Sequence, residues 1–201
     1  MDPAGGLEPA LLSVGLLAGG FWDWEPESST LEAGARDALE RVPFGADADA
    51  FESPPQVSDV AEVNAHRDGD PIYVPVIDVD LALEEPDLAA AYRITGAIVR
   101  ALRPVFAEDH VRHYDVVFAY GERAWRGFGE KEKRRIAVTP DLVERLDREP
   151  SFDDRDLRRE IEDRDDGDDE IPPVAWGEPL GHSYYTDYED WGTWGAFGGF
   201  P

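Results

Sequence analysis

Two aspartates in the segment "VIDVDL" are the first residues whose type and spacing suit a reaction. Asp78 and Asp80 alternate with apolar residues, so a strand places both carboxylates on the same face. Two carboxylates this close can share a divalent cation such as Mg²⁺, as metal-dependent phosphoryl transfer requires. In a chain so rich in aspartate, a solvated strand face produces the same pair by chance. The sequence leaves both interpretations open.

The order of elements around this pair resembles that of the archaeo-eukaryotic primases. Those enzymes place an Asp-x-Asp strand ahead of a glycine-containing strand and turn that bears a catalytic histidine. Here "VVFAYGERAWRGF" follows the aspartates after one helical segment. The resemblance implies a Mg²⁺ site at Asp78 and Asp80. The sequence departs from the family because no histidine occurs between His113 and His182, so the nucleotide-binding part of the pattern is missing.

A basic cluster is the second candidate site, and it is unusual because the chain has 45 acidic residues against 19 basic ones. Basic side chains interleaved with aromatic rings suit single-stranded nucleic acid, since the phosphates meet charge while the bases stack. The alternative is a hairpin whose basic side chains pair with the protein's own carboxylates. The candidate binding residues are Arg123, Trp125, Arg126, Lys131, Lys133, Arg134 and Arg135.

The remaining motifs for catalysis are incomplete. His110 and His113, with Asp109 and Asp115 nearby, have the types of metal ligands, but a further ligand from a distant part of the sequence is not evident. The chain has no cysteine, which excludes thiolate catalysis, disulfides and cysteine-ligated metals. It also lacks a phosphate-binding glycine loop and a serine nucleophile elbow. We therefore expect a protein that is not an enzyme and needs no cofactor, with Mg²⁺ required only if the aspartate pair is functional.

Aromatic side chains recur every third residue near the C-terminus. An extended segment with three residues per turn places such rings on one side, whereas an α-helix spreads them around its surface. Exposed rings in this number favour association, so we expect the segment to lie in a groove on a partner, on another copy or on its own domain. The predicted partner-binding residues are Tyr185, Tyr188, Trp191, Trp194, Phe197 and Phe200.

The charge balance predicts the environment of the protein. The formal net charge is −26, and acids occur from Asp2 to Asp190 rather than in one block. Arginine replaces lysine almost completely. Repulsion between so many carboxylates opposes compaction in dilute buffer, but molar salt screens it. These features are typical of a salt-in extreme halophile, so we expect a haloarchaeon or its virus, with the protein in the cytoplasm or in the virion.

The N-terminal segment "LEPALLSVGLLAGGFW" is apolar but shorter than the roughly 20 residues that span a bilayer. It also lacks the basic start of a signal peptide, so we do not expect secretion. A buried helix or docking segment is one interpretation. Contact of residues 9–22 with a membrane surface, without spanning it, is the other.

Between these ends the sequence predicts an α+β fold. The order β-α-β-β-β-α between residues 71 and 149 favours a small, mostly antiparallel sheet with helices packed on one face. The predicted organisation is an apolar segment (1–27), a helix and linker (28–70), the α+β core (71–149), an acidic linker (150–173) and a Gly-rich aromatic arm (174–201).

We therefore expect a non-enzymatic structural or interaction protein. Its terminal arms would dock on a protein partner or on copies of itself. The alternative is a nucleic-acid-associated protein, derived from a metal-dependent phosphoryl-transfer fold, that uses Asp78, Asp80 and the basic hairpin at residues 123–135.

Overall fold

The computed structural model describes residues 27–65, 69–121, 131–167 and 171–180. This part of the chain forms a mixed sheet with helices alongside it. The helices are α1 (Glu27–Leu39), α2 (Leu88–Leu102), α3 (Pro140–Arg148) and α4 (Asp154–Arg164), with a 3-10 helix at Gly45–Ala50. The strands are β1 (Phe51–Ala65), β2 (Pro71–Leu81), β3 (His110–Val111), β4 (Tyr114–Tyr120) and β5 (Glu132–Val138).

The sheet has the order β1-β2-β4-β5, and the short strand β3 pairs with β2. The β1–β2 and β4–β5 pairs are antiparallel. The β2–β4 pair is parallel, because α2 carries the chain back between these two strands. The predicted α+β class with a mostly antiparallel sheet is confirmed.

One face of the sheet carries the large core. Along β4 the alternate residues Tyr114, Val116, Phe118 and Tyr120 all point into it, as the period of two in the sequence predicted. All four helices contribute buried residues to this same cluster, including Leu39 of α1. We call this the helix face and the opposite side of the sheet the outer face.

Two helices begin at capping carboxylates, and a third begins with a proline. The Asp87 carboxylate accepts a hydrogen bond from the Ala89 N–H at the start of α2. Pro140 occupies the first turn of α3, where a missing N–H costs nothing. Asp153 and Asp156 form a reciprocal capping box at α4. These caps place the helix starts, so α2 returns the chain to the sheet and positions β4 beside β2.

Two segments that were predicted to be linkers instead form regular elements. Residues 154–164 of the predicted acidic linker form α4, whose Leu157 and Ile161 are fully buried in the core. The other is the segment after α1. Residues 51–65 instead form β1, a strand at the edge of the sheet. The interpretation rested on Pro54, Pro55 and several acids, which favour loops. An edge strand tolerates these residues because its outer N–H groups need no partner, and four register shifts along β1 accommodate its irregular backbone.

A proline within a strand is typical of an edge strand or a bulge. Pro75 nevertheless lies in β2, which pairs with β1 on one side and β4 on the other. Pro75 faces Val60, and the nearest register shift lies between Val57 and Asp59 on the neighbouring strand β1. The predicted strand over residues 122–128 lies outside the described residues.

Candidate functional site

The two candidate metal-binding carboxylates lie on the outer face of the sheet. Asp78 faces Val117 on β4, and Asp80 faces Ala119. Both side chains are half-buried. They share this face with Val74 and Val76, four and two residues before Asp78, so the predicted common orientation of the pair follows from strand periodicity.

Asp80 is engaged by a lysine. The Lys131 ammonium donates to Asp80 Oδ1 at 2.5 Å, to Glu52 on β1 and to the Leu81 carbonyl oxygen at 2.8 Å. Its side chain is only 8% exposed. All three ammonium protons therefore have acceptors. Burial alone lowers the pKa of Lys131, but the hydrogen bonds to Asp80 and Glu52 outweigh it and raise the pKa above its ordinary value.

This cluster, Lys131 with Asp80, Glu52 and the Leu81 carbonyl, we call the lysine clamp. It connects the residue before β5 to both β1 and β2. The cation between the Asp80 and Glu52 carboxylates is therefore the protein's own Lys131 ammonium. Among the described residues, no group of three or more His, Asp or Glu side chains could hold a metal ion.

Two arginines of the basic cluster also pair within the chain. Arg134 Nε donates to Glu132 at 2.7 Å and to the Tyr120 hydroxyl at 3.1 Å. The hydrogen bonds from Tyr120 and Arg134 lower the pKa of Glu132. Arg135 Nη1 lies 3.3 Å from the Asp115 carboxylate, and the two side chains are 4% and 0% exposed. Lys133 is half-buried on the same strand.

A buried histidine lies beside the Asp115–Arg135 pair. His113 is 4% exposed, and its two ring nitrogens have no hydrogen-bond partner among the described residues. Burial lowers the pKa of His113 to about 4, although the Asp115 charge opposes that shift. His110 is exposed and lies 3.9 Å from Asp70 instead. The two histidines of the suggested metal motif therefore occupy different environments.

The segment 171–180 follows the free edge of β5. Val174 exchanges backbone hydrogen bonds with Ala137, and the Gly177 and Leu180 N–H groups donate to Arg135 and Lys133. Trp176, at a φ of 53°, stacks on Tyr120 with ring centroids 5.7 Å apart. These contacts cover the backbone edge that β5 would otherwise present to solvent.

This segment also crosses from one face of the sheet to the other. Trp176 packs against the core on the helix face, whereas Leu180 packs against the apolar cluster on the outer face. No helix in the described part of the chain contributes to that second cluster. Its buried members are Ala61, Val63, Val74, Val76 and Val117. Leu180, the last described residue, therefore lies on the outer face.

Other predicted site residues lie outside the described residues. They are Arg123, Trp125 and Arg126 of the basic cluster, all six aromatic residues of the C-terminal arm, and the N-terminal residues 9–22.

Sequence reasoning missed three residues that organise this region. Glu52 lies in the segment that was predicted to be a linker, and no local feature of the sequence links it to Lys131. Asp115 carried a usable signal, because a charged residue within the apolar run "YDVVFAY" implies a buried partner. Trp176 had no local signal, since its contact with Tyr120 depends on the turn around β5.

Comparison with protein-family models, curated proteins and solved structures returned no match. The helices in the described part of the chain are all too short or too polar to cross a membrane. The interpretation of this site therefore depends on its own geometry.

Proposed function

We propose that this protein is a non-enzymatic structural or interaction protein of an extreme halophile. The part of its C-terminal arm (174–201) that follows Leu180 docks it to a protein partner or to another copy of itself. The observation that carries the proposal is the course of residues 174–180, which are paired to β5 and place Leu180 on the outer face. Leu180, the last described residue before the aromatic rings of the arm, thus lies on an apolar surface.

The charged groups of the described fold support an interaction role over catalysis. Three basic side chains of the cluster form ion pairs with carboxylates of the same chain: Lys131, Arg134 and Arg135. Ion pairs of this kind hold strands together and leave the groups poorly placed for acid–base or metal chemistry. The aromatic arm instead offers a large apolar area. Molar salt strengthens hydrophobic association rather than screening it.

The test compares the full chain with a form that ends at Leu180. Sedimentation in about 3 M KCl measures the assembly state of each, and circular dichroism measures folding. We expect the truncated chain to stay folded while the larger species disappear. A matched variant, with Asp187, Glu189 and Asp190 changed to Asn, keeps all six rings and should still assemble. Loss of folding on truncation would show that the arm serves its own domain, and unchanged assembly would refute the proposal.

Nucleic-acid binding ranks second. It would use the basic cluster with Asp78 and Asp80, yet Lys131 bridges Asp80 and Glu52, and Arg135 lies buried against Asp115. Phosphate contacts also weaken steeply with salt. Fluorescence anisotropy with a single-stranded oligonucleotide in molar KCl decides between the two. Binding that survives this salt concentration would place the second candidate first.

A further inference from the structure

An apolar groove runs between α1 and α2 on the side of the helices away from the sheet. Its volume is about 570 Å³. Its walls are mostly small or apolar side chains, and Arg41 and Arg100 stand among them. The residues that line it are Gly34, Ala38, Arg41, Val42, Pro43, Ala97, Arg100, Ala101, Pro104 and Val105.

The walls of the groove approach each other closely, yet several of its side chains are still partly exposed to solvent. A Cβ atom on Gly34 would lie 3.1 Å from Val105 Cγ1, so α1 approaches the turn after α2 as near as a glycine allows. Ala38, Ala97 and Ala101 are only half-buried. Arg100, which lines the groove, is held by Asp154 at 3.2 Å. Apolar lining left half-exposed in this way indicates that another apolar element covers it.

We propose that the groove is the docking site of the chain's own N-terminal apolar segment, residues 9–18. This segment, "PALLSVGLLA", has no charged residue and begins with proline, which suits a first helical turn. Ten residues make a helix of about 15 Å. The α1 side of the groove runs from Gly34 to Pro43, which is the same number of residues.

The connection between the segment and α1 has the right length. Residues 19–26 separate them and start with Gly19 and Gly20, which favour a change of direction. Eight residues span up to about 26 Å when extended, enough for the segment to turn back along α1. The segment then packs antiparallel to α1 as the second helix of a helical hairpin. Leucine side chains enter the space that the small residues of the groove leave open.

This inference does not depend on the role proposed for the C-terminal arm, because it concerns the opposite end of the chain and the helix side of the fold. It assigns the N-terminal segment to the protein's own domain. A second copy of the chain and a membrane surface are the competing occupants of the same apolar residues.

Disulfide trapping in the full chain tests the proposal directly, since the protein has no cysteine of its own. The test variants carry Ala101→Cys in the groove with either Leu12→Cys or Leu16→Cys in the segment. The control pairs each of these leucine variants with Ala89→Cys, which lies on the exposed face of α2. We expect oxidation in about 3 M KCl to give an intramolecular disulfide in a groove pair and none in the controls. Disulfide-linked dimers from the groove pairs would overturn the proposal in favour of a second copy, and no groove-specific disulfide would also overturn it.

A second measurement separates docking from membrane contact. Ala97→Glu places a charge in the groove, and Ala89→Glu makes the same change on the exposed face of α2. We expect Ala97→Glu to lower the melting temperature by several degrees in the full chain, but much less in a chain lacking residues 1–22, while Ala89→Glu changes neither. Equal effects of Ala97→Glu in both chains, or flotation of the wild type with anionic phospholipid vesicles through residues 9–22, would contradict the proposal.

Discussion

The Lys131 ammonium lies 2.5 Å from Asp80 Oδ1, at the point where a divalent cation would sit if Asp80 were a metal ligand. Glu52 and the Leu81 carbonyl complete its set of acceptors. A lysine of the basic cluster thus pairs with one of the two aspartates of the candidate metal site. The clamp connects β1, β2 and the start of β5, which makes it a structural element of the sheet.

A double-mutant cycle should reveal the strength of this clamp. We expect Lys131→Met to lower the free energy of unfolding by about 1.5 to 3 kcal/mol, because hydrogen bonds to charged groups are lost and two carboxylates remain together. Asp80→Asn removes one acceptor and should cost less. The double variant should lose less than the sum of the two, with a coupling of about 1 kcal/mol in urea denaturation at molar KCl. Strict additivity would mean that the two side chains do not interact.

Divalent cations should leave the stability of the wild type unchanged. Mg²⁺ or Mn²⁺ stabilises a protein only if it binds the folded state, and Lys131 already neutralises the Asp80 side of the pair. Thermal melting in molar KCl, with and without about 10 mM MgCl₂, measures this. The Asp78→Asn/Asp80→Asn variant serves as the control. A clear rise in the wild type that this variant loses would revive the metal site.

Removal of Arg135 should be far more harmful than removal of a surface arginine. Arg135→Gln leaves the buried Asp115 carboxylate without its guanidinium partner, which typically costs about 3 to 5 kcal/mol. Arg148→Gln is the matched control, since Arg148 is 64% exposed and pairs with Glu144 one helical turn away. Its loss should cost less than about 1 kcal/mol. Similar losses for the two variants would argue against a buried pair.

Acid should destabilise the fold through His113. Its pKa falls from 6.5 to about 4 on folding. Between these two values the imidazole is protonated in the unfolded chain but neutral in the folded one. Stability is therefore retained above pH 6.5 and declines as the pH falls toward 4, by about 2 to 3 kcal/mol at pH 4.5.

The variant His113→Leu isolates this contribution from that of the many carboxylates. Denaturation of wild type and variant at pH 7.5 and 4.5 in molar KCl gives the difference between them. We expect the variant to lose about 2 to 3 kcal/mol less than the wild type over this interval. Parallel losses in the two proteins would exclude His113 as the group responsible.

Stability should rise with salt. The formal net charge of −26 produces repulsion that extends about 10 Å at 0.1 M salt and about 3 Å at 1 M. Circular dichroism in about 0.1 M and 3 M KCl should show a loss of folded signal at the lower concentration. Equal folded signal and equal melting temperature under both conditions would remove the basis for expecting a halophile.

Local sequence was sufficient for the elements with strong internal signals. The alternation along β4 and the proline at the start of α3 act within a few positions, so they specify strand face and helix start without knowledge of the fold. The charge and composition likewise set an expectation about solvent. The α+β class followed from the order of these elements.

The tertiary structure alone decided what the charged residues contact. Lys131 and Glu52 are 79 positions apart and meet only because β1 pairs with β2, a pairing that the prolines of β1 concealed. The course of residues 171–180 around β5 has the same origin. Contacts between distant segments depend on strand order and register, which no short window of sequence contains, and burial then determines whether a charge meets water, a metal ion or the protein's own lysine.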